Sequence, residues 1–215
     1  LEFFLDSGSK AEYEKWKSVV VGVTTNPSIV LKDGCDIKSF CKLVAPKVVS
    51  VEASGDFEAE ALKYAASISN AVIKVPLLRP DGGHNLAIIE KLESQDIKVN
   101  CTALFSMAQV MLGARSGASY LSIFAGRIDD EGGEWLTIVN DCVQWLLKEK
   151  IMSEIIVGSI RTVGQVLNCA NLEFPPGYVT VPPAILEKMV THSYSLETVR
   201  QFESAAETVK AAARA

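Results

Sequence analysis

Eight short runs rich in β-branched and apolar residues recur along the chain, and the stretches between them repeat apolar residues three and four apart. The runs are FFLDS, VVGVTTNP, KVVSVEAS, AVIKVPL, KVNCTAL, YLSIFAG, EIIVGSI and YVTVPP. The intervening stretches include FEAEALKYAASIS, NLAIIEKLESQ, SMAQVMLGARSG and GEWLTIVNDCVQWLLKEK. Strand and helix in strict alternation require right-handed parallel crossovers, and eight such units in about 200 residues meet the lower size of a closed barrel. The expected fold is therefore α/β, a (β/α)8 TIM barrel. Ser106 is placed to cap the helix after strand five and Gly117 to end it. An open doubly wound sheet is the alternative. It is disfavoured because LDSGSKAEY, after strand one, carries no Gly-rich dinucleotide fingerprint and no GxxxxGK[ST] loop occurs.

A chain of 215 residues buries one sizeable core, so residues 1–215 are expected to form a single domain, with an extra helix at about 195–213 beyond the eighth barrel helix. That helix either packs on its own barrel or docks on a neighbouring subunit. Apolar residues at 48% and charged residues at 22% suit a compact soluble protein. The net charge of -5, with both signs mixed along the chain, leaves no basic stripe for a phosphodiester backbone, so nucleic acid is not an expected partner. The apolar runs are too short to span a bilayer, and no basic segment followed by an apolar one opens the chain, so neither membrane insertion nor secretion is expected. Five cysteines without a CxxC pair argue against a disulfide framework and a structural zinc, and fit the cytoplasm; Cys101 and Cys142 read as small buried hydrophobes. His84 and His192 stand far apart and no acidic cluster repeats at ligand spacing, so no metal is expected.

In such a barrel the C-terminal ends of the strands surround the active site, so polar residues there carry the functional signal. Strand one contributes Asp6, strand two Thr24, Thr25 and Asn26, strand three Glu52, and strand four Lys74. Strand five contributes Asn100 and Thr102, strand six Ser122 and Arg127, and strand seven Ser159 and Arg161, while strand eight ends in VPP with nothing titratable. Lys74 is the most informative. Apolar residues flank it on both sides, and desolvation at such a place disfavours an ammonium and leaves an amine able to attack a carbonyl. The competing reading is a structural lysine paired with Glu52 or Asp6. Those two carboxylates could move the protons that imine chemistry needs, and Thr102 could hold a water between Glu52 and Lys74. Arg127, Ser159 and Arg161 suit phosphate, and Asn26, Asn100 and Ser122 suit hydroxyls. Lys47 and Lys98 sit at strand starts, on the opposite end of the barrel, where solvation is their expected role.

These segments resemble the transaldolases, in particular the short subfamily that includes fructose-6-phosphate aldolase, over nearly the whole chain. FFLDS matches the family's first strand with its aspartate at Asp6, GVTTNPS holds Asn26, and VIKVP is similar to the Schiff-base motif, placing the imine on Lys74. NCT followed by ALFS resembles the segment supplying Asn100 and Thr102; SIFAGRID resembles that supplying Ser122, Phe124 and Arg127, and GSIRTVGQ that supplying Ser159 and Arg161. The resemblance implies transfer of a dihydroxyacetone unit from fructose 6-phosphate or sedoheptulose 7-phosphate to erythrose 4-phosphate or glyceraldehyde 3-phosphate, in the pentose phosphate pathway. It implies no external cofactor, because the imine is the electron sink. It further implies that Glu52 with Thr102 positions a water, that Asp6 takes the hydroxyl proton, and that the protein is a homo-oligomer, a pentamer or decamer. The aldolase branch, which releases free dihydroxyacetone, usually has glutamine at the position of Glu52 and tyrosine at that of Phe124, so both residues point to transfer. VEASGDFEAE is one residue shorter than the family's usual segment and the loop LLRPDGGHN is longer, which bears on substrate preference. A catalytically silent barrel that binds sugar phosphates is the reading from another class.

Overall fold

A computed structural model describes residues 1–213. Eight parallel strands pair in chain order and close on themselves: β1 (Glu2–Asp6), β2 (Gly22–Thr24), β3 (Val48–Glu52), β4 (Ala71–Pro76), β5 (Val99–Leu104), β6 (Tyr120–Phe124), β7 (Glu154–Gly158) and β8 (Tyr178–Val181). The closing seam is the β1–β8 pairing, with Leu5 opposite Val181. The fold is the expected (β/α)8 barrel, and the open doubly wound sheet is excluded.

The helices are α1 (Lys10–Trp16), α2 (Pro27–Asp33), α3 (Ile37–Val44), α4 (Phe57–Ser67), α5 (Leu86–Glu93) and α6 (Met107–Arg115), then α7 (Ala125–Asp130), α8 (Trp135–Glu149), α9 (Val163–Ala170), α10 (Pro183–Val190) and α11 (Ser193–Ala212). The alternation is less strict than the pattern suggests, since two helices follow β2 and two follow β6. Local chemistry explains the first break: Asp36 accepts from the Ser39 backbone and starts a new helix at Ile37. Caps behave as the sequence implies elsewhere. The Ser106 hydroxyl accepts from the Gln109 amide at the start of α6, and Gly117 follows its end at φ +87°, a conformation that residues with a Cβ rarely adopt.

Side chains alternate across each strand. One set, including Leu5, Val23, Ile73, Leu121 and Val179, packs outward against Phe40, Ile89, Leu92 and Val139 of the helices. The other set points into the barrel and forms two layers. The lower one is aromatic: Phe4 stacks on Tyr178 at 4.7 Å between ring centroids, and Tyr120 meets Tyr178 edge-on at 5.9 Å. Gly22 makes room for this floor, because a Cβ there would lie 2.3 Å from the Phe4 ring. The upper layer is polar and opens at the mouth. Lys47, at the lower end, donates to the Val20 carbonyl at 2.8 Å, so it ties loops together instead of being merely solvated.

The terminal helix carries no buried side chain, and along α11 only Ala206 is even half-buried. The helix therefore does not pack on its own barrel, and Leu196, Val199, Phe202 and Val209 stand exposed. No helix among the described residues is long and apolar enough to cross a membrane. All five cysteines are free thiols; Cys41, Cys101, Cys142 and Cys169 are buried, and burial pushes each of those four up to about 12. Cys35 is half-buried beside Gly8.

Candidate active site

Strand register brings the polar layer together. Asp6 lies opposite Thr24 and Thr24 opposite Ser50, while Glu52 lies opposite Lys74 and Lys74 opposite Asn100. Neighbouring residues in register point the same way, so Glu52 and Lys74 meet: Lys74 Nζ is 3.2 Å from Glu52 Oε2. The same Nζ donates to the Thr25 carbonyl at 2.8 Å. Lys74 is 4% exposed, whereas Glu52 is half-buried, so the amine sits below the rim with a carboxylate between it and solvent. The ion pair raised as the competing reading is thus present. It joins two groups of the expected set and leaves the amine inside the mouth.

Asp6 faces this pair from β1. Burial pushes its carboxyl above the ordinary carboxylate range; the Thr24 hydroxyl bond and the Lys74 charge pull it back, and Asp33 adds a further push upward. Thr24 Oγ1 donates to Asp6 Oδ1 at 2.7 Å. Just beyond, the chain is fastened down, since Asp33 Oδ2 accepts from the Ser7 hydroxyl at 2.9 Å and from the Gly8 amide at 2.8 Å.

On β5, Asn100 is fully buried, donates to Ser50 Oγ at 3.3 Å and accepts from Ser122 Oγ at 2.7 Å. Two residues further along the same strand, Thr102 is 1% exposed and its hydroxyl has no hydrogen-bond partner among the described residues. The strand is irregular here: the β5–β6 register shifts between Cys101 and Leu104, and Ala103 adopts φ +58°. A desolvated hydroxyl without a partner is uncommon in folded chains and marks a place where a ligand or water would be bound.

The far side of the mouth is built by β6 and β7. Phe124 packs edge-on against Phe105 at 5.8 Å, and the Arg127 guanidinium, exposed on α7, lies 5.5 Å from the Phe124 ring centre. Ser159 adopts the left-handed φ of +59° beyond β7. Gly126 permits this turn to approach, since a Cβ there would sit 2.1 Å from the Ser159 carbonyl oxygen. Arg161 is also exposed, and its guanidinium bonds to Asp130. The buried Gln165 side chain holds the Arg161 backbone amide at 2.8 Å.

One cavity of about 170 Å³ gathers most of these groups, with Asp6, Asn26 and Lys74 on one wall and Ser122, Phe124, Arg127 and Ser159 on the other. Glu52 and Asn100 flank Lys74 in register at its edge, while Thr102, one inward step beyond Asn100, does not line it. Arg161 does not line it. A more open groove of about 680 Å³ lies against the other side of Asp6, between α1, α2 and α10, and holds none of the other expected residues. Asn26 has two tasks, because its Oδ1 caps α2 by accepting from Ile29 at 2.9 Å. The residue also lines the cavity. His84 stands exposed on a small hairpin after β4, where Leu78 and His84 form an antiparallel bridge.

Sequence reasoning placed Thr24 among the strand-end polar residues without giving it a role, and missed Thr180 and Ser50. Thr24 and Thr180 both line the cavity and bond to each other, and Ser50 anchors Asn100. The available signal was their inward register, which for Ser50 is one inward step below Glu52. Threonine is an ordinary strand former, so its identity alone carries none.

A mouth with a buried amine, two carboxylates and an arginine without an ion-pair partner among the described residues has the parts for carbonyl chemistry on an anionic substrate. A family model described as Transaldolase/Fructose-6-phosphate aldolase matches residues 34–215. Relatives named probable transaldolase include one from Clostridium tetani (strain Massachusetts / E88), 35% identical over 213 residues, with 94% of this chain and 96% of that protein covered. Another, from Dehalococcoides mccartyi, is 33% identical over 214 residues, covering 94% and 96%. A third, from Methanococcus maripaludis (strain C5 / ATCC BAA-1333), is 31% identical over 212 residues, covering 94% and 95%. Matched along almost its whole length, this barrel belongs to the transaldolase/fructose-6-phosphate aldolase family.

Proposed function

We propose that the protein is a transaldolase that moves a dihydroxyacetone unit through an imine on Lys74. The observation that carries this reading is the amine itself, 4% exposed at the barrel mouth with a carboxylate oxygen 3.2 Å away. Glu52 takes a proton from Nζ, and the freed lone pair attacks C2 of a ketose phosphate such as fructose 6-phosphate or sedoheptulose 7-phosphate. The carbinolamine then loses water, its oxygen protonated through a water that Glu52 and the unpartnered Thr102 hydroxyl hold between them. Asp6 removes the C4 hydroxyl proton as the C3–C4 bond breaks, the aldose phosphate leaves, and the bonding electrons enter the iminium to give an enamine on Lys74. Addition of the enamine to erythrose 4-phosphate or glyceraldehyde 3-phosphate reverses these steps, Asp6 returns its proton to the new hydroxyl, and water releases the ketose product.

Asn26, Asn100 and Ser122 would hold the hydroxyls of the three-carbon unit. Arg127 and Ser159, across the cavity, would hold phosphate. Arg161 joins them once phosphate draws its guanidinium from Asp130. Phe124 supports transfer over hydrolytic release, since a phenyl ring has no proton to donate to the enamine. The aldolase activity of the sister branch is the second reading. Assays with and without erythrose 4-phosphate separate the two, and Phe124→Tyr is expected to raise release of free dihydroxyacetone. The exposed α11, with its row of Leu196, Val199, Phe202 and Val209, supports a homo-oligomer in which this helix docks on a neighbouring copy. Free thiols and the pentose phosphate reaction fit a cytoplasmic protein.

Borohydride added during incubation with fructose 6-phosphate should fix the sugar fragment to the peptide containing Lys74, and Lys74→Met should abolish both fixation and turnover. Turnover by that variant, or a parent protein that binds the sugar without any fixation, would remove the proposal.

A further inference from the structure

The polar contacts around Asp6 do not end at Thr24. Thr24 Oγ1, already donating to Asp6 Oδ1 at 2.7 Å, also bonds to Thr180 Oγ1. A hydroxyl has one proton, so with Thr24 donating to the carboxylate the second bond runs the other way, from Thr180 to Thr24. Thr180 is 6% exposed, and its hydroxyl makes no other side-chain hydrogen bond among the described residues. In register it lies opposite Phe4, one inward step below Asp6, so the bond crosses β1 inside the barrel from β8 to β2.

We propose that Thr180 is a positioning residue for proton transfer at Asp6: by donating to Thr24 it fixes the direction of the Thr24 hydroxyl, keeps Oδ1 occupied, and leaves Oδ2 as the oxygen that takes the substrate proton. This rests on the transaldolase reading above. Hydrogen bonds in such a chain polarise one another, so the Thr180 bond strengthens the one that Thr24 gives the carboxylate. Burial works against the Asp6 charge, and this chain opposes burial from below.

The charged groups around Asp6 are few on the cavity side, where Lys74 comes from β4 and Arg127 from α7. On the groove side stand Glu12 and Lys15 of α1, Lys32 and Asp33 of α2, and Glu187 of α10. Thr180→Val keeps the side-chain shape and all of these charges and removes only the hydroxyl. Weakening the support for the carboxylate means that Asp6 is protonated at a higher pH. The acid limb of kcat/KM for fructose 6-phosphate should therefore move up by roughly half a pH unit, with kcat reduced about three- to tenfold. Thr180→Ser, which restores the hydroxyl, should restore the limb. Thr24→Val, which removes the direct bond, should move it further. Borohydride fixation to Lys74 should survive in all three, because imine formation does not use Asp6.

An unmoved acid limb in Thr180→Val overturns the inference, as does a displaced limb that Thr180→Ser fails to restore. Loss of fixation in the parent protein would instead overturn the transaldolase reading, so the two failures are distinguishable.

Discussion

Gly126→Ala tests whether the β7 turn is set by contact with α7. A Cβ at position 126 would lie 2.1 Å from the Ser159 carbonyl oxygen, 2.9 Å from Arg161 Nε and 3.0 Å from Ser159 Oγ, whereas ordinary contact begins near 3.4 Å. The nearest atom is backbone, so no side-chain rotation relieves the clash, and the turn must retreat by about 1.3 Å. Overpacking of this kind costs roughly 1–3 kcal/mol, which at this chain length lowers Tm by about 2–12 °C. The kinetic effect is more specific. A displacement on the order of 1 Å in groups that hold substrate costs about 10²-fold, so kcat/KM for fructose 6-phosphate should fall by that order. Transfer from an unphosphorylated donor such as fructose should suffer far less, because Ser159 and Arg161 are assigned to phosphate. Scanning calorimetry and a coupled assay on both donors provide the comparison. A variant with the parent's Tm and the parent's preference for the phosphorylated donor would refute the argument.

Two other substitutions probe the inner wall. Since burial raises the Asp6 pKa in the folded state, that state holds its proton more tightly than the unfolded one, so stability falls as pH rises from 3.8 through the folded value and the ionised group remains a cost above both. Asp6→Asn is accordingly expected to be more stable than the parent in thermal melts at pH 7, with the gap narrowing toward pH 4, while aldol cleavage drops roughly 10²–10⁴-fold; a less stable variant at pH 7 would contradict this. Thr102→Val deletes a buried hydroxyl that has no partner among the described residues, so urea unfolding should show stability equal to the parent or up to about 1 kcal/mol higher, yet fixation by borohydride should slow on the order of 10²-fold. Unchanged fixation would take Thr102 out of the water-holding role.

The barrel was legible because its signal is periodic and long: eight strand-length runs leave little freedom once crossovers are right-handed. The inner polar wall was legible for a related reason, since a charged residue such as Lys74 among Val72, Ile73 and Val75 contradicts the burial its neighbours demand. Features that depend on a single backbone angle were not. Nothing in NCTAL marks Ala103 for φ +58°, yet the register shift beside Thr102 accompanies it. β2 stops at Thr24 because Thr25 donates its amide and its hydroxyl to the Ser50 carbonyl and Asn26 turns to cap α2. Arg161 illustrates a different limit. Strand-end position predicts its neighbourhood but not its partner, and Asp130 comes from a helix 31 residues earlier in the chain.

The cysteine distribution has a practical side. With four sulfurs enclosed and ionising only near the alkaline extreme, a maleimide meets a single partly open thiol, Cys35, whose own ionisation is pushed up first by burial and then by Asp33 and Asp36. Conjugation is therefore selective and slow until mildly basic conditions. A fluorophore attached there would rest against Gly8, two residues beyond Asp6, and would report on that loop in the unaltered protein.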